Sequence, residues 1–408
     1  MNKYSRGLRI VFLFILGVSF VGWGKGNAAP QEVTITVNTL GEELVVNGNC
    51  SLREAIFSAN YNGPIDACTG GSSTEMDKIT FSVSGTIALS YILPAVVNAG
   101  PLTIDGGSVV TISGNNSTPI MQVESGANLT LRNLTFTAGH LTGTQVGGAG
   151  LFNNGGTVTI DNCNFLANTG SGIAGSDEIM YGGAIYNKDG NLTISNSNFH
   201  NNSLNVDRSF GGAIYNWNGS LTITGSTFQN NSTGGYYSSG GAILSGDTGS
   251  KLYINSTNFY NNSSQDYGGA IYTVGVTEVS GCTFQGNATI QSGGAIYHRY
   301  FMISYPLTIS NSTFDGNVSV GDGGAIFTEN ECSVEGSNFT GNSALKSGGA
   351  IYSSSGFHTL HLNGNVFHEN AALDAGGGVA LWVDDDFNIS NNTFEGNSAV
   401  NGGGVYIF

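Results

Sequence analysis

Charge is what this chain has least of. Only 10% of its 408 residues are Asp, Glu, Lys or Arg, against roughly a quarter in an average soluble domain. Basic residues are the scarcer sign, 12 against 28 acidic ones, for a net charge of −16. Nucleic acid and anionic lipid are held by clustered Lys and Arg, so neither is an expected partner. No Gly-x-Ser-x-Gly elbow and no phosphate-binding loop occurs, which removes two common frames for nucleophilic and nucleotide chemistry. The six histidines are scattered, and His358 and His361 have no Cys or carboxylate nearby at metal-ligand spacing. No metal and no cofactor is expected. Beyond residue 23 no apolar run is long enough to cross a bilayer as a helix.

What is abundant is small and polar. Gly contributes 63 residues, about twice the usual share, and Ser, Thr and Asn fill much of the remainder. A disordered chain is not the reading, because 39% hydrophobic residues and 22 Phe supply material for a core. The N-terminus has the form of an export leader. Lys3, Arg6 and Arg9 precede the apolar run "IVFLFILGVSFVGW", and the small residues "GNAA" follow it. A signal peptide at residues 1–29, cut after Ala28 or Ala29, is expected. Its removal takes Lys3, Arg6, Arg9 and Lys25 and leaves eight basic against 28 acidic residues, a net of −20. Export permits disulfides. Cys50 and Cys68 flank a loop outside the repeats and are expected to bond, while Cys163, Cys282 and Cys332 are expected to be buried small hydrophobes.

One phrase returns along the chain: "YGGAIYN" at residues 181–187, "FGGAIYN" at 210–216, "SGGAIYH" at 292–298. Its first Gly falls at 147, 182, 211, 240, 268, 293, 323, 348, 376 and 402, in steps of 25 to 35. A second phrase, Phe-x-x-Asn, alternates with it and begins at Phe165, Phe199, Phe228, Phe259, Phe284, Phe314, Phe339, Phe367 and Phe394, with an imperfect copy at Phe136. Five residues before each Phe stands an aliphatic residue such as Ile194, Ile223 or Ile309, and seven before it mostly Leu. That spacing of two marks a strand with one buried face. Three before it, Asn or Gly predominates, as expected of a tight bend with left-handed backbone angles. Two before it the residue is small, which places Cys163 and Cys282 in one column.

Three short strands per repeat, no helix and fixed columns predict an all-β right-handed parallel β-helix, a single-stranded solenoid of about 28 residues per coil. The Asn of Phe-x-x-Asn is expected to form an amide ladder at a turn. The stretch "CSLREAIFSAN" at residues 50–60 predicts a short capping helix, with Ser51 and Glu54 as a capping box. The regions expected are the leader at 1–29, a cap at 30–78, irregular coils at 79–146 and regular repeats at 147–408. The last phrase, "NGGGVYIF", stops inside a repeat, so a truncated solenoid that frays after Asn391 or associates end to end is expected.

The run "CSLREAI", followed by "ITFSVSGTIALSYILP" and "LTIDGG", resembles the CSLREA-type N-terminal domain of large exported bacterial β-helix proteins. The alternating Gly-Gly-Ala-Ile and Phe-x-x-Asn phrases resemble the polymorphic outer membrane protein repeat, best known from chlamydial surface proteins. The resemblance implies a pectin-lyase-like fold, secretion or display at the outer membrane, and a passenger, often adhesive, meeting host-surface or extracellular glycan or protein ligands.

Candidate chemistry is sparse. Asp384, Asp385 and Asp386 form the densest acidic run, and Glu329, Glu331 and Glu335 share one coil, but no neighbouring coil repeats them as a glycosidase pair would require. No catalytic residue is expected, and the alternative is a polysaccharide lyase or hydrolase. The position after each Ile carries Tyr186, Tyr215, Tyr272, Tyr297, Phe327 and Tyr352. Alternation turns these outward as a candidate ligand strip, unless they pack against one another or under turns.

Overall fold

The computed structural model describes residues 32–97, 100–143, 147–172, 178–302, 304–354, 359–382 and 386–408. The expected leader lies outside the described residues, as do Asp384, Asp385 and His358. Among the described residues no helix is long and apolar enough to cross a membrane.

From residue 32 the chain winds as a right-handed parallel β-solenoid of about 11 turns. A regular coil holds four short strands, one more than the sequence pattern shows. The Gly-Gly-Ala-Ile strands belong to an 11-stranded sheet, and the strands on either side of the Asn/Gly bend join in a 23-stranded sheet. A nine-stranded sheet follows the Phe-x-x-Asn turn, as at Thr169–Ser171 and Ser203–Asn205. These last strands have two or three residues and bury one side chain, too few for alternation to register. The ladders are in register, so that Ile185, Ile214, Ile243, Ile271 and Ile296 succeed one another.

Backbone geometry explains the recurring phrases. At the bend Asn162, Asn196 and Asn311 hold φ of 52°, 50° and 48°, and Gly225 and Gly281 hold 60° and 61°. The first glycine of Gly-Gly is also left-handed, at 60° in Gly182 and 73° in Gly293. The second is constrained by proximity instead: a Cβ at Gly183 would strike the carbonyl oxygen of Gly212 in the next coil.

Two ladders run along the interior. Ten phenylalanine rings, Phe136 through Phe394, stack with centroids 4.6 to 5.0 Å apart. Beside them the amides Asn168, Asn202, Asn231, Asn262, Asn287, Asn317, Asn342, Asn370 and Asn397 form a continuous chain, each Nδ2 donating to the next Oδ1 at 2.9 or 3.0 Å.

Cys163 and Cys282 occupy the small column and donate their N–H groups to Ser197 Oγ and Ser312 Oγ at 3.1 Å. Cys332 stands between Leu307 and Leu360. All three are free and buried. Burial pushes the Cys163 and Cys332 thiols up to about 12 and that of Cys282 to about 11. Thiolates are the reactive species, so none of the three should react with a disulfide dye at mildly alkaline pH. Three equivalents are expected to appear once the fold is denatured. Reaction in the native protein would mean the coils open readily.

The N-terminal cap is the helix Leu52–Tyr61. Ser51 Oγ accepts the Glu54 N–H at 3.2 Å, and Glu54 Oε2 accepts the Ser51 N–H at 2.9 Å. Leu52, Ala55, Ile56 and Ala59 are fully buried in the same core that fills the coils. Cys50 and Cys68 form a disulfide that ties the start of the helix to the loop after it. At the other end, the strands Asp386–Ser390, Thr393–Glu395 and Val405–Ile407 continue the ladders. There Ile389, Phe394 and Val405 are only partly buried, and Ile407 and Phe408 are exposed.

Candidate functional site

The residue after each Ile of the phrase leaves the main core, as alternation requires. It does not reach open solvent. Tyr186, Tyr215, Tyr272, Tyr297 and Phe327 are 5%, 4%, 7%, 5% and 9% exposed, and Tyr352 is half-buried. The outward ligand strip is thereby corrected to a second apolar cluster. The physical reason is that the chain ahead of Gly-Gly doubles back over the column. Tyr181 lies 5.0 Å from Tyr186 and 4.9 Å from Tyr215, and Tyr267 lies 4.5 Å from Tyr297. Within the column Phe152, Tyr186 and Tyr215 stack at 5.1 Å, and Tyr272, Tyr297, Phe327 and Tyr352 stack at 4.8 to 5.4 Å.

Between those two stacks the column is interrupted. One coil carries smaller residues than its neighbours at three facing positions. Ser239 stands between Phe210 and Tyr267, Leu244 between Tyr215 and Tyr272, and Gly246 between Trp217 and Val274. The missing bulk leaves a groove of about 440 Å³. Phe210, Tyr215 and Trp217 line it from the preceding coil, and Tyr267, Tyr272 and Val274 from the following one. Tyr237, Phe301, Asp247, Asp266 and Arg299 complete the lining. Trp217, Tyr237 and Phe301 are 38%, 72% and 45% exposed, so the apolar wall continues out to the surface.

The polar groups of the groove are held in defined ways. Asp266 Oδ2 accepts the Ser238 N–H at 3.0 Å. Burial pushes its carboxyl above the usual aspartate range, and the backbone N–H groups of Ser238 and Tyr237 pull it partly back. Asp247 Oδ1 accepts from the N–H and Oγ1 of Thr248 at 2.6 and 3.2 Å. Arg299 Nη1 donates to Tyr272 Oη at 3.0 Å, a bond that holds the guanidinium in its charged form. Burial keeps the Tyr272 hydroxyl protonated. One coil on, Glu329 accepts the Tyr297 hydroxyl at 2.6 Å and the Tyr300 N–H at 3.2 Å. The groove thus offers many ring faces, two carboxylates and one cation already engaged.

The acidic residues singled out from sequence are not brought together. Glu329 meets Tyr297, whereas Glu335 lies at the far end of Cys332–Glu335, 3.6 Å from His361. Asp386 opens a strand and is exposed. Among the described residues no group of three or more His, Cys, Asp or Glu is placed to hold a metal ion. The groove itself was missed by sequence reasoning. Its signal lay in three coincident departures from the repeat, at Ser239, Leu244 and Gly246, visible only when every column is compared coil by coil.

The right handed beta helix region family matches residues 68–248 and 236–399 of the chain. No curated protein matches it. A solved structure titled "Structure of the Streptococcus pneumoniae surface protein and adhesin PfbA" aligns over 88% of this chain and 95% of that one, with 14% identity and a TM-score of 0.40.

Proposed function

The chain belongs to the right-handed beta helix family, and on that premise we propose an exported bacterial protein, secreted or displayed at the outer membrane, that binds a ligand through the interrupted aromatic column and performs no catalysis. The finer kinship, with polymorphic outer membrane proteins and their CSLREA-bearing relatives, is part of this proposal. So is the adhesive role. One observation carries the reading: the coil of Leu244 breaks the aromatic packing between Tyr215 and Tyr272 and opens a groove of about 440 Å³. Ring faces of this kind suit a host-surface or extracellular partner.

A carbohydrate-active enzyme is the second reading, favoured by Asp247, Asp266 and Arg299 in one groove. Against it, each carboxylate already accepts a turn N–H, and Arg299 is tied to Tyr272.

Leu244→Tyr tests the site. The new ring completes the stack between Tyr215 and Tyr272 and blocks the middle of the groove. The variant is expected to be as stable as the parent or more so, by about 0.5–2 kcal/mol. Its binding to extracellular-matrix and glycan arrays should fall by about tenfold or more. Undiminished binding would move the site elsewhere. Turnover of uronic-acid polymers or other glycans by the parent protein would establish the enzyme instead.

A further inference from the structure

Resting on that groove as the binding site, we infer that its ligand is an organic cation, a methylated or otherwise alkylated ammonium group held against the ring faces.

Shape, local charge and the overall field converge. The first is shape and surface. Tyr215, Trp217, Tyr237, Tyr267 and Tyr272 converge on one hollow, and the faces of such rings carry the negative end of the aromatic quadrupole. A bulky ammonium is weakly hydrated and gains from several faces at once, whereas a small inorganic cation keeps its water. The second is local charge. Asp247 and Asp266 line the hollow against one cation of the lining, Arg299, which is bonded to Tyr272, so the carboxylates outnumber the cation. The third is the field of the whole molecule. A net charge of −16 draws cations to the surface and repels acidic polymers. An acidic polysaccharide fits the rings but not this field. A purely apolar guest fits the rings but strips water from two carboxylates without supplying a counter-charge, which is costly.

The two aspartates serve turns as well, and this makes the charge testable apart from the fold. Each uses a carboxylate oxygen to accept a backbone N–H, Asp266 from Ser238 and Asp247 from Thr248. An amide oxygen accepts the same bond. Asp247→Asn and Asp266→Asn therefore remove charge while keeping both turns.

The experiment titrates the full chain with choline chloride, with its neutral isostere 3,3-dimethylbutanol, and with glucose, by calorimetry and by chemical-shift changes. Choline is expected to bind saturably, and the isostere and glucose about tenfold more weakly or worse. The double variant Asp247→Asn/Asp266→Asn should bind choline several-fold more weakly with its melting temperature unchanged, and Leu244→Tyr should not bind it. Equal binding of the isostere, preference for glucose, or no saturable choline binding overturns the cation. The broader reading falls separately, if Leu244→Tyr still adheres to the arrays that the parent binds.

Discussion

Asn287→Leu is expected to cost the solenoid at least about 3 kcal/mol. Asn287 is fully buried and sits in the middle of the amide ladder. Its Oδ1 accepts both the backbone N–H and the Nδ2 of Asn262 at 3.0 Å, and its own Nδ2 donates to the Phe259 carbonyl at 3.0 Å and to Asn317 Oδ1 at 2.9 Å. Leucine has similar bulk, so little cavity forms. The loss is polar: two donors on Asn262 and the Phe259 carbonyl lose this partner inside the protein. Each such orphan costs about 1–3 kcal/mol. In a stack where each coil touches only its neighbours the damage should also be local. Hydrogen exchange is expected to quicken across the coils carrying Asn262 and Asn317 while the helix Leu52–Tyr61 stays protected. Denaturant unfolding within about 1 kcal/mol of the parent would show that the ladder is incidental to the turn.

Arg53→Met is expected to be nearly as damaging, about 3–5 kcal/mol, the usual result of stripping one partner from a buried ion pair. Arg53 is only 3% exposed although charged. Its guanidinium pairs with Glu42 Oε2 at 2.8 Å, donates to the carbonyls of Glu42, Tyr91 and Ile92, and lies 3.8 Å over the Tyr91 ring. It thereby fastens the helix to chain about 40 residues later. Burial alone would raise the Glu42 carboxyl, but hydrogen bonds from Ser90 and Arg53 and the Arg53 charge outweigh it and hold it low. A lowered folded-state pKa means that this stabilisation is complete above the unfolded value of about 4.3 and is lost as pH falls through the folded one. The parent should therefore lose stability in acid, and Arg53→Met should lose less of its smaller total. Thermal unfolding across that range checks both the size and the sign. A variant that melts like the parent at neutral pH would show that the buried pair adds nothing net to stability.

Much of this architecture was legible in the residues because a solenoid writes its contacts into a period. A side chain at Ile214 meets Ile185 and Ile243, its counterparts one repeat away. Column identity is therefore contact identity, and the Ile, Phe, Asn and bend positions follow from alignment alone. The short helix was legible for a local reason: Ser51 and Glu54 satisfy each other's backbone groups within one turn. The fourth strand of each coil was not legible, since two or three residues such as Ser263–Ser264 carry no period.

The sequence by itself determined the coil, its corners, its inner ladders and the N-terminal cap, because each depends on neighbours at a constant offset along the chain. It did not determine which side of the aromatic column meets water. Alternation turns Tyr215 out of the main core, yet Tyr181 and Phe210 lie against its ring. Only the tertiary path of the segment ahead of Gly-Gly makes that contact. The same path turns three modest departures, Ser239, Leu244 and Gly246, into one groove. Each departure alone leaves a small void that neighbours can close, and only their alignment across the sheet surface, with larger residues on the coils before and after, keeps the space open.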